Sequence, residues 1–364
     1  MKITGFHTQL VTLPADEPLA DGPTVAGAGR SFVTLRLRTD EGIEGIGITY
    51  FGAALVATLR SGLEQLAALA VGQDPMRPEA VLDLLRQRAR PSGPAGIFTL
   101  AVAALDLAMW DIKGKALGAS VSRLLGGFRT EVPAYASGAM MREFPLEQVV
   151  QAGPRLLEKG FTQMKMQLAL HGPASNAREL ERIRLVREAI GPDVDLMCDI
   201  NQRWNVRQAI SLGRRLEEFH LYWLEDIVAH DDPPGMARVA EALDTPLAAG
   251  EYLYGIAPMR HLMQANAVDI VMIDLMRAGG ITGWMKIAGM AEAFNLPVVS
   301  HLIPEVHAHL VAAIPNGLTV EYMPWASPLF NEKLEMKNGL LQVPDRPGLG
   351  LTFDEGVLAR YAAA

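Results

Sequence analysis

Three acidic residues at the ends of short apolar segments are the features of this sequence that most directly suggest chemistry. Asp199, Glu225 and Glu251 each close such a segment, and they lie at equal intervals of 26 residues. Short apolar runs bounded by turn residues are typical of buried strands. Carboxylates that meet at the ends of neighbouring strands are suited to bind one hard cation. The spacing therefore predicts a metal site at the mouth of a parallel barrel.

Polar residues also end the other predicted strands that surround this trio. A single acidic residue at a strand end is more often a solvated terminus or part of a structural ion pair. Candidates at the ends of seven consecutive strands instead favour a functional site, because barrel enzymes carry catalysis at the carboxyl ends of their strands. The candidates outside the trio are Lys165 and Gln167 on one face of the second strand, Asp274 on the sixth, His301 on the seventh and Glu321 on the eighth.

Two further polar residues follow these strand ends closely enough to take part in substrate binding. Asn201 lies two residues after Asp199 and could support the metal or its water. Arg277 lies three residues after Asp274, where it could bind a second carboxylate of the substrate or form a structural ion pair. The sequence leaves both alternatives for Arg277 open.

The elements that position these residues alternate between strand and helix from about residue 130. A (β/α)₈-type barrel over residues 126–325 is the predicted architecture. An open doubly wound sheet is the alternative, but it does not readily explain candidate residues at so many strand ends. The predicted strands are 132–137, 163–168, 195–201, 221–226, 247–251, 270–275, 297–301 and 318–322.

Residues 1–125 are predicted to form a separate α+β capping domain, completed by a returning tail of residues 326–364. A hairpin is expected over residues 32–48, with helices at 53–71, 78–90 and 95–117. The glycines of the hairpin also resemble a nucleotide-binding loop, but no suitable helix follows them directly. A loop over residues 15–30, rich in Gly and Pro, has the length of a lid or binding loop.

Composition excludes several classes of partner. The chain has 364 residues, of which 49% are hydrophobic and 20% charged, with a net charge of −8 and no basic block. A nucleic-acid partner is therefore not expected. No apolar run is long enough to cross a membrane, no signal peptide is predicted, and the only cysteine is Cys198, so we expect a soluble, cytoplasmic protein.

The sequence resembles the enolase superfamily, in particular its mandelate racemase branch and the sugar-acid dehydratases. The resemblance covers nearly the whole chain and rests on residues 104–111, 272–284, 299–302 and 347–350 together with the strand-end residues. It implies one Mg²⁺ per subunit held by Asp199, Glu225 and Glu251. It also implies a His301–Asp274 catalytic dyad, Glu321 as the acid of the eighth strand, a small-molecule carboxylate as substrate, and a homo-oligomer.

Elementary chemistry agrees with these implied roles. Removal of a proton next to a carboxylate creates a dianion, which a bound dication offsets. Asp274 would fix the tautomer of His301 and strengthen it as a base. Lys165 would place positive charge near the substrate carboxylate, with a role as base a minor alternative. Glu321, if protonated or sharing a proton, could hydrogen-bond that carboxylate.

The second strand departs from the family pattern in a way that decides the predicted reaction. The family places a lysine pair, Lys-x-Lys, here, whereas this chain has Lys165 followed by Gln167. An amide cannot exchange protons near neutral pH, so racemisation with one base on each face of the substrate is disfavoured. We therefore predict dehydration of an aldonate or aldarate by His301 through a Mg²⁺-stabilised enediolate, with Gln167 binding a substrate hydroxyl. The alternatives are a cycloisomerase, a racemase or epimerase that uses the same intermediate, and a non-catalytic barrel.

The remaining histidines suggest other sites less strongly. His307 and His309 have the His-x-His spacing of a zinc hydrolase, but they lie in a predicted helix, where positions two apart do not share a face. His171 and His230 fall in predicted loops and are interpreted as surface residues.

Overall fold

The computed structural model describes residues 1–20, 28–50, 54–93, 95–171 and 175–363. Residues 21–27, the centre of the predicted loop at 15–30, lie outside the described residues. None of the helices in these ranges is long and apolar enough to cross a bilayer.

The N-terminal part begins with a three-stranded antiparallel sheet. Its strands are β1 (Ile3–Pro14), β2 (Gly29–Thr39) and β3 (Glu44–Thr49), in the order β1-β2-β3. The turn between β2 and β3 contains Gly42 at φ +76°, a conformation that glycine adopts without steric cost. The predicted hairpin is therefore confirmed.

Four helices and a short 3₁₀ turn at Arg90–Ser92 follow this sheet. They are α1 (Val56–Ala70), α2 (Pro78–Arg88), α3 (Ile97–Leu117) and α4 (Val121–Leu124). Helix α3 is buried on most of its circumference, as predicted, because it packs between the sheet and the barrel.

The glycines of β3 are explained by this packing. A Cβ atom on Gly45 would lie 2.1 Å from the carbonyl oxygen of Ala108, and one on Gly47 would lie 2.0 Å from that of Ala104. Only glycine lets the backbone of β3 approach α3 so closely. These residues are therefore packing contacts, not a phosphate-binding loop.

Eight parallel strands with helices between them form the barrel. Strands β4 and β11 pair in parallel, which closes the sheet and confirms the predicted fold class over the alternative of an open sheet. The elements in chain order are β4 (Glu131–Met140), α5 (Leu146–Glu158), β5 (Gln163–Gln167), α6 (Ser175–Ile190), β6 (Asp195–Asp199), α7 (Val206–Leu216), β7 (Trp223–Glu225), α8 (Pro233–Ala242), β8 (Leu247–Ala249), α9 (Ile256–Gln264), β9 (Ile270–Asp274), α10 (Ile281–Ala293), β10 (Val298–His301), α11 (Pro304–Ala313) and β11 (Gly317–Tyr322).

The C-terminal tail contacts both parts of the molecule. It contains β12 (Met336–Lys337), β13 (Leu340–Gln342) and α12 (Glu355–Arg360). Strand β13 pairs antiparallel with barrel strand β4, a contact that the sequence analysis did not anticipate. Further along, the backbone N–H of Leu349 donates to Asp111 in α3 and that of Ala363 donates to Leu10 in β1.

A separate apolar cluster fills the barrel interior beneath the candidate residues. Because side chains two apart in a strand point to the same side, this cluster supports the polar layer that follows it. Four of its members each precede a candidate by two residues: Met197 before Asp199, Trp223 before Glu225, Met272 before Asp274 and Val299 before His301.

The two histidines of the His-x-His motif are buried on helix α11 and bond to different backbone groups. His307 Nδ1 lies 2.5 Å from the carbonyl oxygen of Leu302, and His309 Nε2 lies 3.1 Å from that of Leu349. The N–H of Ser122 donates to His309 Nδ1 at 3.4 Å, so this imidazole is a neutral ring bonded at both nitrogens. Burial lowers the pKa of His309 to about 4. Their surroundings are those of structural side chains.

Candidate active site

The carboxyl ends of the barrel strands surround a cavity of about 260 Å³. Eight of the ten predicted site residues line it, and the other two, Glu225 and Asp274, are buried. The lining residues are Tyr50, Ser137, Met141, Lys165, Gln167, Asp199, Asn201, Glu251, Tyr252, Arg277, His301, Leu302, Glu321, Met323 and Trp325.

His301 and Asp274 form a hydrogen-bonded pair at the ends of neighbouring strands. The register of β9 and β10 places them side by side, and His301 Nδ1 lies 2.7 Å from Asp274 Oδ2. Burial alone would raise the pKa of Asp274, but the hydrogen bond with His301 and the charge of Arg277 lower it to about 2. An ionised Asp274 accepts a hydrogen bond from the Nδ1–H group and leaves Nε2 directed at the cavity.

The other ring nitrogen of His301 faces a second carboxylate. Nε2 lies 3.4 Å from Glu251 Oε2. Burial alone would lower the pKa of His301, but the negative charge of Glu251 and the hydrogen bond with Asp274 outweigh it and raise the pKa to about 9. The basicity of this imidazole is therefore set by the two acidic residues that flank it.

Lys165 lies between two of the predicted acidic residues. Its Nζ atom is 2.5 Å from Glu225 Oε1 and 2.8 Å from Glu321 Oε1, and the lysine side chain is only 6% exposed. Burial alone would lower the pKa of Lys165, but these two carboxylates raise it well above its ordinary value. Lys165 is thus a fixed positive charge and is poorly suited to act as a base.

The ion pair with Lys165 also affects the charge state of Glu321. Burial alone would raise the pKa of this carboxyl, but the charge of Lys165 lowers it to about 2. Its Oε2 atom accepts a hydrogen bond of 2.7 Å from the N–H of Leu302. Glu321 is therefore ionised, and the protonated form that would donate to a substrate carboxylate is not supported.

Asp199 is held by the residue two positions later. The N–H of Asn201 donates to Asp199 Oδ1 at 2.7 Å, and the side-chain amide donates to Oδ2 at 2.6 Å. Asn201 and Gln202 both have left-handed backbone conformations, with φ of +47° and +62°, which turn the chain back over the strand end. The amide of Asn201 thus supports the carboxylate.

The three predicted metal ligands do not form a ready-made cluster. In the described parts of the chain, no group of three or more His, Cys, Asp or Glu side chains is arranged so that it could hold a metal ion. The register nevertheless places Asp199 beside Glu225 on adjacent strands, and Glu251 follows the next strand. Both oxygens of Glu225 already accept hydrogen bonds: Lys165 Nζ donates to Oε1, and Trp223 Nε1 donates to Oε2 at 3.0 Å.

The chemistry of these acidic residues fits a hard cation. Glu251 Oε2 and Asp226 Oδ2 are buried carboxylate oxygens that lack a hydrogen-bond partner, although His301 Nε2 lies 3.4 Å from the Glu251 oxygen. Burial raises the pKa of Glu251 and of Asp226 well above the ordinary range, and the neighbouring carboxylates Asp199 and Glu225 raise both further. Buried like charges without donors are costly, and a dication with oxygen ligands relieves that cost.

The predicted substrate-binding residues Gln167 and Arg277 both line the cavity. Gln167 pairs in register with Asp199, and its Oε1 atom lies 3.5 Å from the N–H of Arg142. Arg277 Nη1 donates to the carbonyl oxygen of Glu251 at 2.8 Å and lies 3.8 Å from Asp274 Oδ2. Of the two interpretations of Arg277, the structure thus shows the ion pair, with the guanidinium still at the cavity wall.

Several cavity residues were missed from the sequence. Tyr50 extends from the end of the capping hairpin into the cavity, and Tyr252 and Trp325 follow the fifth and eighth barrel strands. Burial raises the pKa of both tyrosines, so each phenol is a neutral hydrogen-bond donor. All three residues follow strand ends. A search for aromatic as well as ionisable residues after the strands, in the capping sheet as well as the barrel, would have identified them.

Comparisons with known proteins agree with this architecture. The family described as "Enolase C-terminal domain-like" matches residues 148–357, and the "Mandelate racemase / muconate lactonizing enzyme, N-terminal domain" matches residues 17–126. The chain is 33% identical to L-talarate/galactarate dehydratase of Salmonella typhimurium over 97% of this chain and 89% of that protein. It is 30% identical to 3,6-anhydro-alpha-L-galactonate cycloisomerase of Streptomyces coelicolor over 99% of both.

A solved structure shows the same fold over the whole chain. The structure of L-talarate dehydratase from Polaromonas sp. JS666, complexed with Mg and L-glucarate, superimposes with a TM-score of 0.91 at 32% identity, covering 100% of this chain and 98% of that one. Both domains match family profiles, and the relatives align from end to end. This chain therefore belongs to the enolase superfamily, in its mandelate racemase and muconate lactonizing enzyme family.

Proposed function

We propose that this protein is a Mg²⁺-dependent dehydratase that converts an aldonate or aldarate to a 2-keto-3-deoxy acid. The observation that carries the proposal is the single histidine base. Asp274 fixes Nδ1 of His301 at 2.7 Å, so Nε2 faces a cavity where Gln167 stands at the position of a second basic residue. One base on one face of the substrate is suited to elimination.

The names of the relatives support a sugar acid as the substrate class. The talarate/galactarate dehydratase aligns over nearly the whole chain, and an arabinonate dehydratase of Saccharolobus solfataricus is 32% identical over 90% of it. A polyhydroxy acid also fits a cavity with two carboxamides, two phenols and a guanidinium in its wall.

Asp199, Glu225 and Glu251 would hold the Mg²⁺. The presence of Mg in the related structure supports the choice of metal, and the Glu251 oxygen without a hydrogen-bond partner supports a cation near that residue. When bound, Mg²⁺ supplies positive charge that polarises the substrate carboxylate and offsets the charge of its ligands. Because Glu251 is the main influence that raises the pKa of His301, neutralising its charge favours the neutral imidazole that a base requires.

His301 carries both proton transfers in the proposed reaction. Nε2 takes the proton from the carbon next to the substrate carboxylate, while Asp274 stabilises the imidazolium that forms. The C–H electron pair becomes the new carbon–carbon double bond as the β-carbon–oxygen bond breaks. The imidazolium returns its proton to the departing hydroxyl, so that water leaves, and the enol product rearranges to the 2-keto acid.

The remaining side chains bind and orient the substrate. Lys165 contributes positive charge near the carboxylate, and the ionised Glu321 keeps the ammonium group in place at 2.8 Å. Gln167 offers an amide to a substrate hydroxyl. Arg277, held at 2.8 Å from the carbonyl oxygen of Glu251, is placed for the far end of a dicarboxylate.

A screen of the purified protein with Mg²⁺ against aldonic and aldaric acids tests this proposal, with the keto product detected by semicarbazide. The variant His301→Asn should abolish turnover and retain Mg²⁺ binding. If this variant still dehydrates the substrate, the assignment of His301 as the base is wrong. If no acid in the library yields a keto product or exchanges its α-proton in D₂O, the proposed activity is wrong.

Cycloisomerisation is the second candidate, because a cycloisomerase aligns with this chain from end to end. It begins with the same proton abstraction but expels an internal oxygen of the substrate. A product of the same mass as the substrate would favour it, whereas a product lighter by one water favours dehydration.

A further inference from the structure

We propose that Arg142 is a positioning residue that orients Asp199 for the metal through the side-chain amide of Asn201. The inference rests on the proposed role of Asp199 as a metal ligand. It extends the site to a residue that follows the first barrel strand and that the sequence did not single out.

The side chain of Arg142 joins the ends of three neighbouring strands. It follows β4, its Nε atom donates to the carbonyl oxygen of Leu168 after β5 at 2.6 Å, and its Nη2 atom reaches the end of β6. There it donates to Asn201 Oδ1 at 2.5 Å and to the carbonyl oxygen of Asp199 at 3.3 Å. The guanidinium is half-buried, with its donors directed at this strand end.

Hydrogen-bond chemistry makes this contact directional. A guanidinium only donates, so the oxygen of the Asn201 amide must face Arg142. The NH₂ group of the same amide must then face Asp199, where it donates to Oδ2 at 2.6 Å. Without Arg142 the amide oxygen loses its donor, and the side chain of Asn201 is free to rotate away from the carboxylate. Arg142 thus fixes the amide orientation, and the amide fixes the carboxylate.

Charge and geometry make opposite predictions for the loss of Arg142. By Coulomb's law alone, removal of a positive charge beside a cation site strengthens binding of the cation. Loss of the oriented amide weakens it, and changes in the residues that orient metal ligands typically reduce metal affinity about 10- to 100-fold. The direction of the change therefore distinguishes positioning from simple electrostatics.

The test is a calorimetric titration of Mg²⁺ into the full-length protein without substrate. Arg142→Met should raise the Kd for Mg²⁺ by about 10- to 100-fold. The matched control is Arg203→Met, which removes a positive charge from the same end of the barrel. Arg203 is exposed and bonds to His171 at 2.6 Å and to the carbonyl oxygen of Ala169. This control should leave the Kd unchanged or lower it.

A double-mutant cycle tests whether the effect passes through Asn201. The variant Asn201→Gly removes the amide without backbone strain, because the residue has φ +47°. In this background Arg142→Met should have little further effect on the Kd. An equal loss of affinity in both backgrounds would show a general structural role for Arg142 and overturn the proposal, as would unchanged or tighter binding in the single variant.

A conservative variant keeps the test valid if Arg142→Met does not fold. Arg142→Lys retains the charge but replaces the planar guanidinium, whose Nε and Nη2 reach Leu168 and Asn201 separately, with a single ammonium group, so it should show a smaller rise in the Kd. Wild-type affinity in this variant would contradict the proposal. If the wild-type protein itself binds no Mg²⁺, the proposed metal role of Asp199 fails, which is a different result from an insensitive Arg142.

Discussion

The pair formed by His301 and Asp274 leads to a prediction for the variant Asp274→Asn. In the wild-type protein both carboxylate oxygens accept hydrogen bonds, Oδ1 from the N–H of Arg277 at 2.7 Å and Oδ2 from His301 at 2.7 Å. An asparagine has only one acceptor. If its oxygen keeps the bond from Arg277, its NH₂ group must face His301 and donate to Nδ1.

That arrangement places the imidazole in the wrong tautomer. A ring that accepts at Nδ1 carries its proton on Nε2, so the nitrogen that faces the cavity cannot take the α-proton. The variant also loses the charged acceptor that stabilises the imidazolium in the transition state, a charge-assisted hydrogen bond of about 1.5–3 kcal/mol. Since about 1.4 kcal/mol corresponds to a tenfold change in rate, this loss alone slows turnover about 10- to 150-fold. With the tautomer change added, we expect kcat to fall by at least about 100-fold.

Two measurements test this reasoning. The rate of keto-acid formation gives kcat on whichever sugar acid the screen identifies. The ¹⁵N chemical shifts of the imidazole report the tautomer in the Mg²⁺-bound protein without substrate, at a pH at which His301 is neutral. We expect the proton to move from Nδ1 to Nε2 while Mg²⁺ binding persists. A variant that keeps the Nδ1–H tautomer, or that retains more than about a tenth of wild-type kcat, would refute the argument that Asp274 sets the proton position.

Three further changes test the packing, the buried histidine and the second strand. Gly47→Ala should lower the free energy of unfolding by about 1–3 kcal/mol in urea, because its Cβ would lie 2.0 Å from the backbone oxygen of Ala104. The control Gly5→Ala, which meets open space, should change it little. His309 has a pKa of about 4 in the folded protein, so the unfolded state binds more protons between pH 6.5 and 4. As the pH is lowered from 6.5 to 4, protonation of His309 in the unfolded state should reduce the free energy of unfolding by up to about 3 kcal/mol. The variant His309→Gln should show a correspondingly flatter pH dependence of unfolding. Gln167→Lys should introduce slow α-proton exchange from the second face of the substrate, measured by NMR in D₂O, and no exchange would contradict the assumed position of this strand.

The barrel was predictable from sequence because its signals are local and repeated. Apolar runs mark the strands, polar residues mark where each one ends, and helical segments separate them. The eight predicted strands all exist in the structure, although several are shorter than predicted. The contact of β13 with β4 could not be predicted, because strand pairing between residues about 200 positions apart leaves no local signal.

The charge states in the site depend on distances that a sequence does not contain. Glu321 was a candidate proton donor until the structure placed Lys165 Nζ at 2.8 Å, which keeps that carboxyl ionised. Arg142 follows the first barrel strand, which was predicted to end at residue 137 but ends at Met140, and its proposed role follows only from its contacts with Leu168 and Asn201. Tyr50 comes from the other domain, so only the packing of the capping sheet on the barrel places it in the cavity.

The replacement of a lysine by Gln167 has a consequence beyond the loss of a second base. Gln167 pairs in register with Asp199, so a lysine at this position would bring a positive charge close to a proposed metal ligand. The neutral amide leaves the carboxylates on this side less compensated, and burial already raises the pKa of Glu251 well above its ordinary value. The cost of these buried charges must then be met by Lys165 and by a bound cation. We therefore expect Gln167, besides lacking the basicity of a lysine, to increase the dependence of the proposed site on a bound cation.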